Sequence, residues 1–386
     1  MILSNYATKT EIIQRENKSP ADYWPIGIDY GFSGVKGFSP NKVFCFPNCA
    51  VQMKEYNTLT EPSDTDIVLR DSESTWIIGE KAHEIISSEN AMNYESEMYG
   101  RNRYFSPIFQ ALMKVGLGIA LSNNKFRAYN GEPIVIQTGL PPKYKKQDTG
   151  MIKEAIAGSY SFDLKIGKKP FVHYQFIIKE NNVFVMDQPM GSLISTITDN
   201  DGIQAKEDYR ILTSNTIVFD PGFKTLDIYD ITAGMYKGSN TFDTLGMHAV
   251  FQSTINLLEE KYDVNLTVAQ MQNILHKGFV TSFDRKQMST AKISFDEELE
   301  LCTQKICRDA IQKLISIYNY LQNHEFMIIT GGTGNAWFSY IEDYFKNMKG
   351  LTILSANKND TTLSNTYSNV RGYYYYLIGM LERRRR

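Results

Sequence analysis

The sequence is poor in the residues that build metal centres and disulfide scaffolds. Four cysteines and five histidines occur in 386 residues. Cys45 and Cys49, and Cys302 and Cys307, lack the C-x-x-C spacing of a zinc site or thioredoxin-like centre. So few cysteines in so long a chain fit a reducing compartment, and all four are expected as plain thiols. His83, His173, His248, His276 and His324 show no metal-ligand spacing and are expected to be structural. An excess of one charge is missing too. Lys and Arg number 41 against 43 Asp and Glu, a formal charge of -2, which argues against a broad basic face for nucleic acid. The exception is Arg383 to Arg386, read as a solvated tail, with a lipid or nucleic-acid contact as the alternative. No apolar run approaches the ~20 residues of a membrane-spanning helix. The polar N-terminus (Asn5, Thr8, Lys9, Glu11) has no signal-peptide core, so a cytoplasmic location without membrane contact is expected. Common nucleotide signatures are absent as well: no G-x-x-x-x-G-K-[ST], and no G-x-G-x-x-G after a strand. Ser33, in Gly-Phe-Ser-Gly, lacks the spacing of a nucleophile elbow.

What is present is a phrase that occurs twice. Residues 26–36 read IGIDYGFSGVK and residues 217–227 read IVFDPGFKTLD. Ile26, Asp29, Gly31 and Phe32 coincide with Ile217, Asp220, Gly222 and Phe223. The offset is close to half the chain, which is long enough for two domains. Each copy reads as a strand ending in a carboxylate, an Asp-x-Gly turn and a second strand. Such turns expose backbone N–H groups that suit an anion. Two of them predict facing loops that clamp something anionic between two related halves.

Other periodicities fill in the α/β pattern. Residues 1–24 have no counterpart in the second half and are expected as a partly ordered extension. Residues 43–100 read as an inserted subdomain. A helix is expected over 105–121, a buried strand over 133–138 and a short helix over 148–158. Three period-2 segments, 161–166, 171–179 and 182–186, read as antiparallel strands added to a sheet. In the second half, helices are expected over 242–262, 267–276 and 295–322, the last opened by a Ser294/Glu297 capping box. A strand at 326–330 runs into Gly331-Gly332-Thr333-Gly334, read as a turn before a helix over 335–348. A strand at 351–354 and a final helix from about 366 follow. Strands alternating with helices point to sheets covered on their faces.

These motifs suggest a site. Gly31 to Ser33 and Gly222 to Thr225 would offer N–H groups and hydroxyls to phosphate, with Lys36 adding a point charge. Asp29 and Asp220 would repel phosphate directly, and make sense with Mg²⁺ between, held through its own waters. Gly331 and Gly332 would let a flat purine or ribose lie against the backbone. Alone that turn is as readily a tight strand-to-helix connection.

The pattern resembles the actin, heat-shock-chaperone and sugar-kinase ATPase superfamily, and within it the bacterial and archaeal actins, especially the ParM-like plasmid-segregation actins. Asp29-Tyr-Gly31 with Lys36 resembles the first phosphate loop, and Thr138-Gly-Leu-Pro-Pro the first connecting segment. Asp220-Pro-Gly222-Phe-Lys-Thr225-Leu-Asp227 resembles the second loop, Ile328-Ile-Thr-Gly-Gly the adenosine turn, and Ser368-Asn-Val-Arg-Gly-Tyr the closing helix. The resemblance implies an actin-like fold: two related domains, each a mixed sheet flanked by helices, with the nucleotide in the cleft between them. It implies domain I over 25–200, domain II over 201–365, and residues 366–386 returning to domain I with a basic tail. It implies ATP (with GTP left open) and Mg²⁺. Gly31, Phe32, Ser33, Lys36, Gly222, Phe223, Lys224, Thr225, Gly331, Gly332 and Thr333 would bind the nucleotide. Asp29 and Asp220 would hold the metal through water. Gln188 would orient the attacking water, with Asp187 as its rival, and Asp220 would share in catalysis. Lys224 departs from the usual small or polar residue of that loop. The implied partners are further copies of the chain in a filament and a DNA-binding adaptor of the ParR type, with DNA reached only indirectly. Two other readings remain open. A small-molecule kinase would need an acidic base, for which no separate Asp motif stands out. A membrane-tethered division actin would use residues 373–386 as an amphipathic tail, but those overlap the Asn369 to Tyr373 match.

Overall fold

The computed structural model describes residues 6–54, 61–72, 74–86, 97–98, 100, 102–275, 277–284 and 287–384. In chain order the first half contains β1 (Glu11–Gln14), β2 (Trp24–Tyr30), β3 (Gly34–Ser39), β4 (Lys42–Pro47), β5 (Ala50–Met53), β6 (Ile67–Arg70), β7 (Thr75–Ile78) and α1 (Glu80–Ile85). It continues with α2 (Pro107–Leu121), β8 (Ile134–Leu140), α3 (Pro142–Ile156), β9 (Gly158–Ile166), β10 (Val172–Ile178), β11 (Val183–Asp187), α4 (Gln188–Ile197) and α5 (Tyr209–Thr213). The second half contains β12 (Thr216–Pro221), β13 (Leu226–Thr232), β14 (Met235–Phe242), α6 (Met247–Tyr262), α7 (Val268–Ile274), β15 (Phe279–Asp284), β16 (Ser289–Ser294) and α8 (Asp296–Ile317). It ends with β17 (Phe326–Ile329), α9 (Gly331–Phe345), β18 (Thr352–Ser355) and α10 (Ser368–Arg384).

The repeated phrase is the trace of a repeated sheet. The central sheet of the first half runs β1-β4-β3-β2-β8-β11, and that of the second half β14-β13-β12-β17-β18. Apart from β1, the orders match strand for strand: a three-strand antiparallel meander, then two parallel strands. The central strands β2 and β12 are fully buried, as expected of runs covered on both faces. One apolar core surrounds the first sheet and another the second.

Three expectations need correction. Residues 11–14 of the N-terminal extension form β1, paired antiparallel with β4, and Tyr6 lies in the core of the second half. This edge strand has no counterpart in the repeat, so comparing the halves hid it. Residues 182–186 do not extend an antiparallel sheet: β11 pairs in parallel with β8. β9 and β10 instead join β5, β6 and β7 in a separate sheet of order β10-β9-β6-β7-β5. The extra subdomain is therefore built from two stretches of chain, and β4 belongs to the central sheet. Lastly, α8 is not opened by a capping box. Phe295 is the N-cap residue and makes no side-chain cap. Ser294 Oγ accepts the Asp296 amide at 3.4 Å.

The final helix fastens the halves together. α10 packs on β2, β8 and α4 through glycines that admit its backbone. A methyl group at Gly27 would lie 2.8 Å from the Tyr374 amide, and one at Gly191 2.7 Å from the Asn369 carbonyl. One at Gly372 would overlap the Gly191 carbonyl outright. The buried Arg371 guanidinium donates to the Ser195 and Thr198 carbonyls, each at 2.8 Å, tying α10 to the end of α4.

Candidate functional site: a cleft between two phosphate-type loops

The two hairpin turns face each other across a cavity of about 370 Å³, a volume in the range of small-molecule sites. Ser33 and Lys36 line it from the first hairpin, Asp220, Gly222 and Phe223 from the second. Gly331, Gly332 and Thr333 close a third side, and Gln188 reaches it from the start of α4. A smaller void of about 40 Å³ lies beyond, lined by Asp29, Gly31, Phe32, Gly222, Lys224 and Thr225 among others, and again by Gln188. The residues expected to bind nucleotide or metal, and Gln188, therefore meet at one place; Asp187 does not join them.

Each is held there by local structure. Asp29 stands opposite Lys36 in the β2–β3 register, with Lys36 Nζ 3.5 Å from Asp29 Oδ2. Burial works against the Lys36 charge, but Asp29, Cys45 and Asp220 outweigh it, and its pKa rises. In the second turn the Gly222 amide donates to the Thr225 carbonyl at 2.7 Å. Asp220 is buried, which pushes its carboxyl up to about 6; an Asn369 hydrogen bond and Lys36 oppose the rise. Asn369 Nδ2 donates to Asp220 Oδ2 at 3.0 Å. Asp227 is spent on structure. Thr225 and Thr241 hydroxyls donate to it at 3.1 and 2.5 Å, while burial pushes it up to about 8.

The glycine segment is not a turn preceding a helix. It is the first turn of α9, which begins at Gly331. Gly331 has φ +78, a left-handed conformation that glycine adopts freely, and a side chain there would meet Asp220 Oδ1 at 2.9 Å. The free N–H groups of a helix start thus point at the cavity, a favourable place for an anion. Thr333 lines the cavity, and its hydroxyl donates to the Gly222 carbonyl at 2.9 Å. Phe32 also serves structure, packing against the core of the second half.

Gln188 and Asp187 separate cleanly. Asp187 pairs with Lys145 at 3.1 Å and lines neither void, whereas Gln188 lines both. Four contributions escaped the sequence reading. Asn369 reaches Asp220 and also accepts the Ser192 hydroxyl at 2.5 Å, and Ser192 hydrogen-bonds Thr330. Residues Tyr6 to Glu11 line the cavity mouth. Arg103 lines the inner void. Thr366 contributes to the third wall. The Asn in the closing Asn-x-x-Gly-Tyr run was the available signal for the first; the others carry none.

The donor set suits a cation held indirectly. Among the described residues no group of three or more His, Cys, Asp or Glu could cage a metal directly. Asp220 lines the cavity and Asp29 the inner void, and the buried Asp29 Oδ2 has the Lys36 ammonium at 3.5 Å and no closer donor. These two carboxylates would suit a Mg²⁺ held through its own waters.

Two related sheets, duplicated hairpin turns and a cleft between them define the actin-like fold. Residues 27–191 match the N-terminal domain of actin-like proteins. The structure superposes on a non-polymerisable quadruple mutant of pCBH ParM with TM-score 0.70, at 18% identity, covering 92% of this chain and 98% of that one. A ParM from Clostridium botulinum, solved as a 15-stranded filament, gives 0.69 at 19% identity, covering 92% and 99%. Ta0583, an archaeal actin homologue in complex with ADP, gives 0.62 at 16% identity, covering 93% and 99%. No curated protein sequence matches the chain. Residues 27–191 therefore carry the N-terminal domain of actin-like proteins, and the fold of the chain is that of ParM and the archaeal actin homologue.

Proposed function

We propose that this actin-like protein binds ATP with Mg²⁺ between its two domains, hydrolyses it, and couples that cycle to head-to-tail assembly in plasmid DNA segregation. The observation that carries the reading is the pair of duplicated turns facing one cavity, with Asp29, Asp220 and Gln188 converging on it. The backbone N–H groups of both turns and the Lys36 ammonium would bind the phosphates. Asp29 and Asp220 would hold Mg²⁺ through its waters, and that ion would supply charge neutralisation on the phosphates. Gln188 would orient the attacking water; as an amide it is not a strong base, so slow turnover is expected.

Both turns would grip the same terminal phosphate, so ATP would favour the closed arrangement and its loss would loosen it. A closed protomer with matching ends makes heterologous contacts, which run on as filaments when their rotation does not close a ring. The filament seen for the Clostridium botulinum ParM supports this step. A net charge of -2 offers no footprint for phosphate backbones, so DNA would be reached through an adaptor of the ParR type. Among the described residues no helix is long and apolar enough to cross a membrane, and a cytoplasmic setting fits.

The test pairs nucleotide-dependent thermal shift with phosphate release and light scattering. Wild type should bind, assemble and then disassemble as ATP is consumed. Gln188→Ala should keep binding and assembly, lose turnover by about 10²-fold and fail to disassemble; Asp220→Ala should lose turnover altogether. A protein that gives no thermal shift with ATP refutes the site. One that stays monomeric at tens of micromolar and phosphorylates a sugar instead belongs to the kinase reading.

A further inference from the structure

The inner void contains a charged group that none of the site residues above accounts for. Arg103 lies in the single 3₁₀ turn (Arg103–Phe105) that leads into α2, and it is 93% buried, its residual exposure being 7%. Its Nη2 donates to the Tyr30 carbonyl at 2.9 Å, and its guanidinium stacks 4.1 Å above the Phe32 ring of the first turn. Nη1 is buried and has no hydrogen-bond partner among the described residues. A guanidinium cannot shed its proton, and a buried donor of this kind costs stability when nothing accepts from it. The group lines the void shared by both phosphate-type turns and Gln188.

A second cation approaches the same ring. Lys224 Nζ is 5.2 Å from the Phe32 centroid, and its residue lines the same void. Burial and the nearby Arg103 charge both pull the Lys224 pKa down. Two like charges directed at one small enclosed space repel each other, and an anion placed between them relieves that repulsion. The void of about 40 Å³ has room for a few water-sized atoms and not for a nucleoside.

We propose that Arg103 and Lys224 form an anion clamp behind the two turns, holding the terminal phosphoryl group of ATP and, after hydrolysis, the inorganic phosphate. Phe32, fixed against the core of the second half, is the platform that spaces the two cations. The clamp rests on the reading of the cavity as an ATP site. It adds a phosphate-specific term that ADP does not feel. It also assigns a role to Lys224, which departs from the usual residue of its loop.

The experiment compares ADP with ADP plus beryllium fluoride, a mimic of the terminal phosphate, on the full chain with Mg²⁺, by competition with a fluorescent nucleotide. In wild type beryllium fluoride should tighten ADP binding. Arg103→Gln and Lys224→Met should each reduce the beryllium fluoride gain at least tenfold, by far more than any loss of ADP affinity, with Arg103→Lys retaining part of it. Single-turnover release of inorganic phosphate should be faster in both neutral variants. Should Arg103→Gln not fold, Lys224→Met, on a half-buried loop position, decides alone. An unchanged beryllium fluoride gain in Lys224→Met, or equal losses for ADP and ADP–beryllium fluoride in Arg103→Gln, overturns the clamp while leaving the ATP site standing. Failure of wild type to bind ADP at all overturns both.

Discussion

Replacing Gly372 by alanine tests the junction of the two halves. The new methyl would overlap the Gly191 carbonyl and lie 2.9 Å from Gly191 Cα. Both obstacles are backbone of α4, so no side chain can swing aside. α10 would have to withdraw by more than an ångström. That stretches the Asn369–Asp220 bond of 3.0 Å, the Ser192–Asn369 bond of 2.5 Å and the two 2.8 Å bonds from Arg371 to α4 and its exit. Overpacking alone costs about 1–3 kcal/mol, and each weakened hydrogen bond adds about 1 kcal/mol. The helix-propensity gain of alanine over glycine returns only about 1 kcal/mol. A net loss of about 4–6 kcal/mol follows, which lowers Tm by roughly 15 °C for domains of this size. Gly379, in the same helix, is the control: a methyl there meets nothing within 4 Å, so Gly379→Ala should raise stability by up to about 1 kcal/mol. Thermal and urea unfolding of the two variants read the difference. Nucleotide affinity should fall with Gly372→Ala, because Asn369 moves with the helix, and hold with Gly379→Ala. If the two alanine variants unfold within about 1 °C of each other, the close approach of α4 and α10 is wrong.

Arg371→Met should destabilise by about 3–5 kcal/mol, since it removes three buried hydrogen bonds to Ser195 and Thr198 and leaves Asp360, 3.7 Å away, with Arg15 as its remaining cation beside the Thr362 hydroxyl; urea unfolding measures it. Lys42→Met probes a buried amine that donates to Ser122 and whose pKa burial lowers from 10.5 to about 7. The unfolded chain binds the extra proton between these values, so wild-type stability should rise with pH across that window, by about 3 kcal/mol from pH 7 to 9.5. The penalty is complete below pH 7. Urea unfolding at the two pH values should show that gain in wild type and its loss in Lys42→Met; equal gains would contradict the burial of the amine.

The fold class and the duplicated turns were legible in the sequence; the pairing of several strands was not. Asp29, Gly31, Asp220 and Gly222 recur at one offset because a duplicated hairpin must place the same residue types at the same corners. The helix at 295–322 was readable for a different reason: its apolar residues keep one helical period over many turns, and α8 buries them. β1 was not readable, because a four-residue edge strand with half-exposed side chains has no period to speak of. β11 was misassigned because alternation marks a strand without naming its partner, and its parallel partner β8 lies over forty residues earlier. The glycine run at 331–334 read as a turn because glycine weakens a helix locally; the close approach of Asp220 and the backbone of the second turn selects it there. Arg103 stayed invisible. Its role depends on a three-residue turn placed beneath Phe32 by tertiary packing, and a lone arginine in a sequence carries no such information.

The stretch from Tyr6 to Glu11 has a mechanical consequence. Tyr6 is anchored in the core of the second half, whereas Glu11 is zipped into the first sheet opposite Cys45 and accepts a hydrogen bond from Tyr367 at 2.6 Å. In between, the Thr10 amide donates to Glu80 at 2.5 Å. Five residue steps of fully extended chain span at most about 17 Å. The segment is therefore a leash of fixed length between the two jaws. Small rocking motions leave it slack, but a gape wider than its contour must pull Tyr6 from its socket or peel β1 from the sheet edge. Extracting one tyrosine costs about 2–3 kcal/mol, enough to slow full opening by roughly two orders of magnitude. Exchange of whatever occupies the cavity would then depend on how firmly one N-terminal side chain, itself part of the cavity lining, is seated.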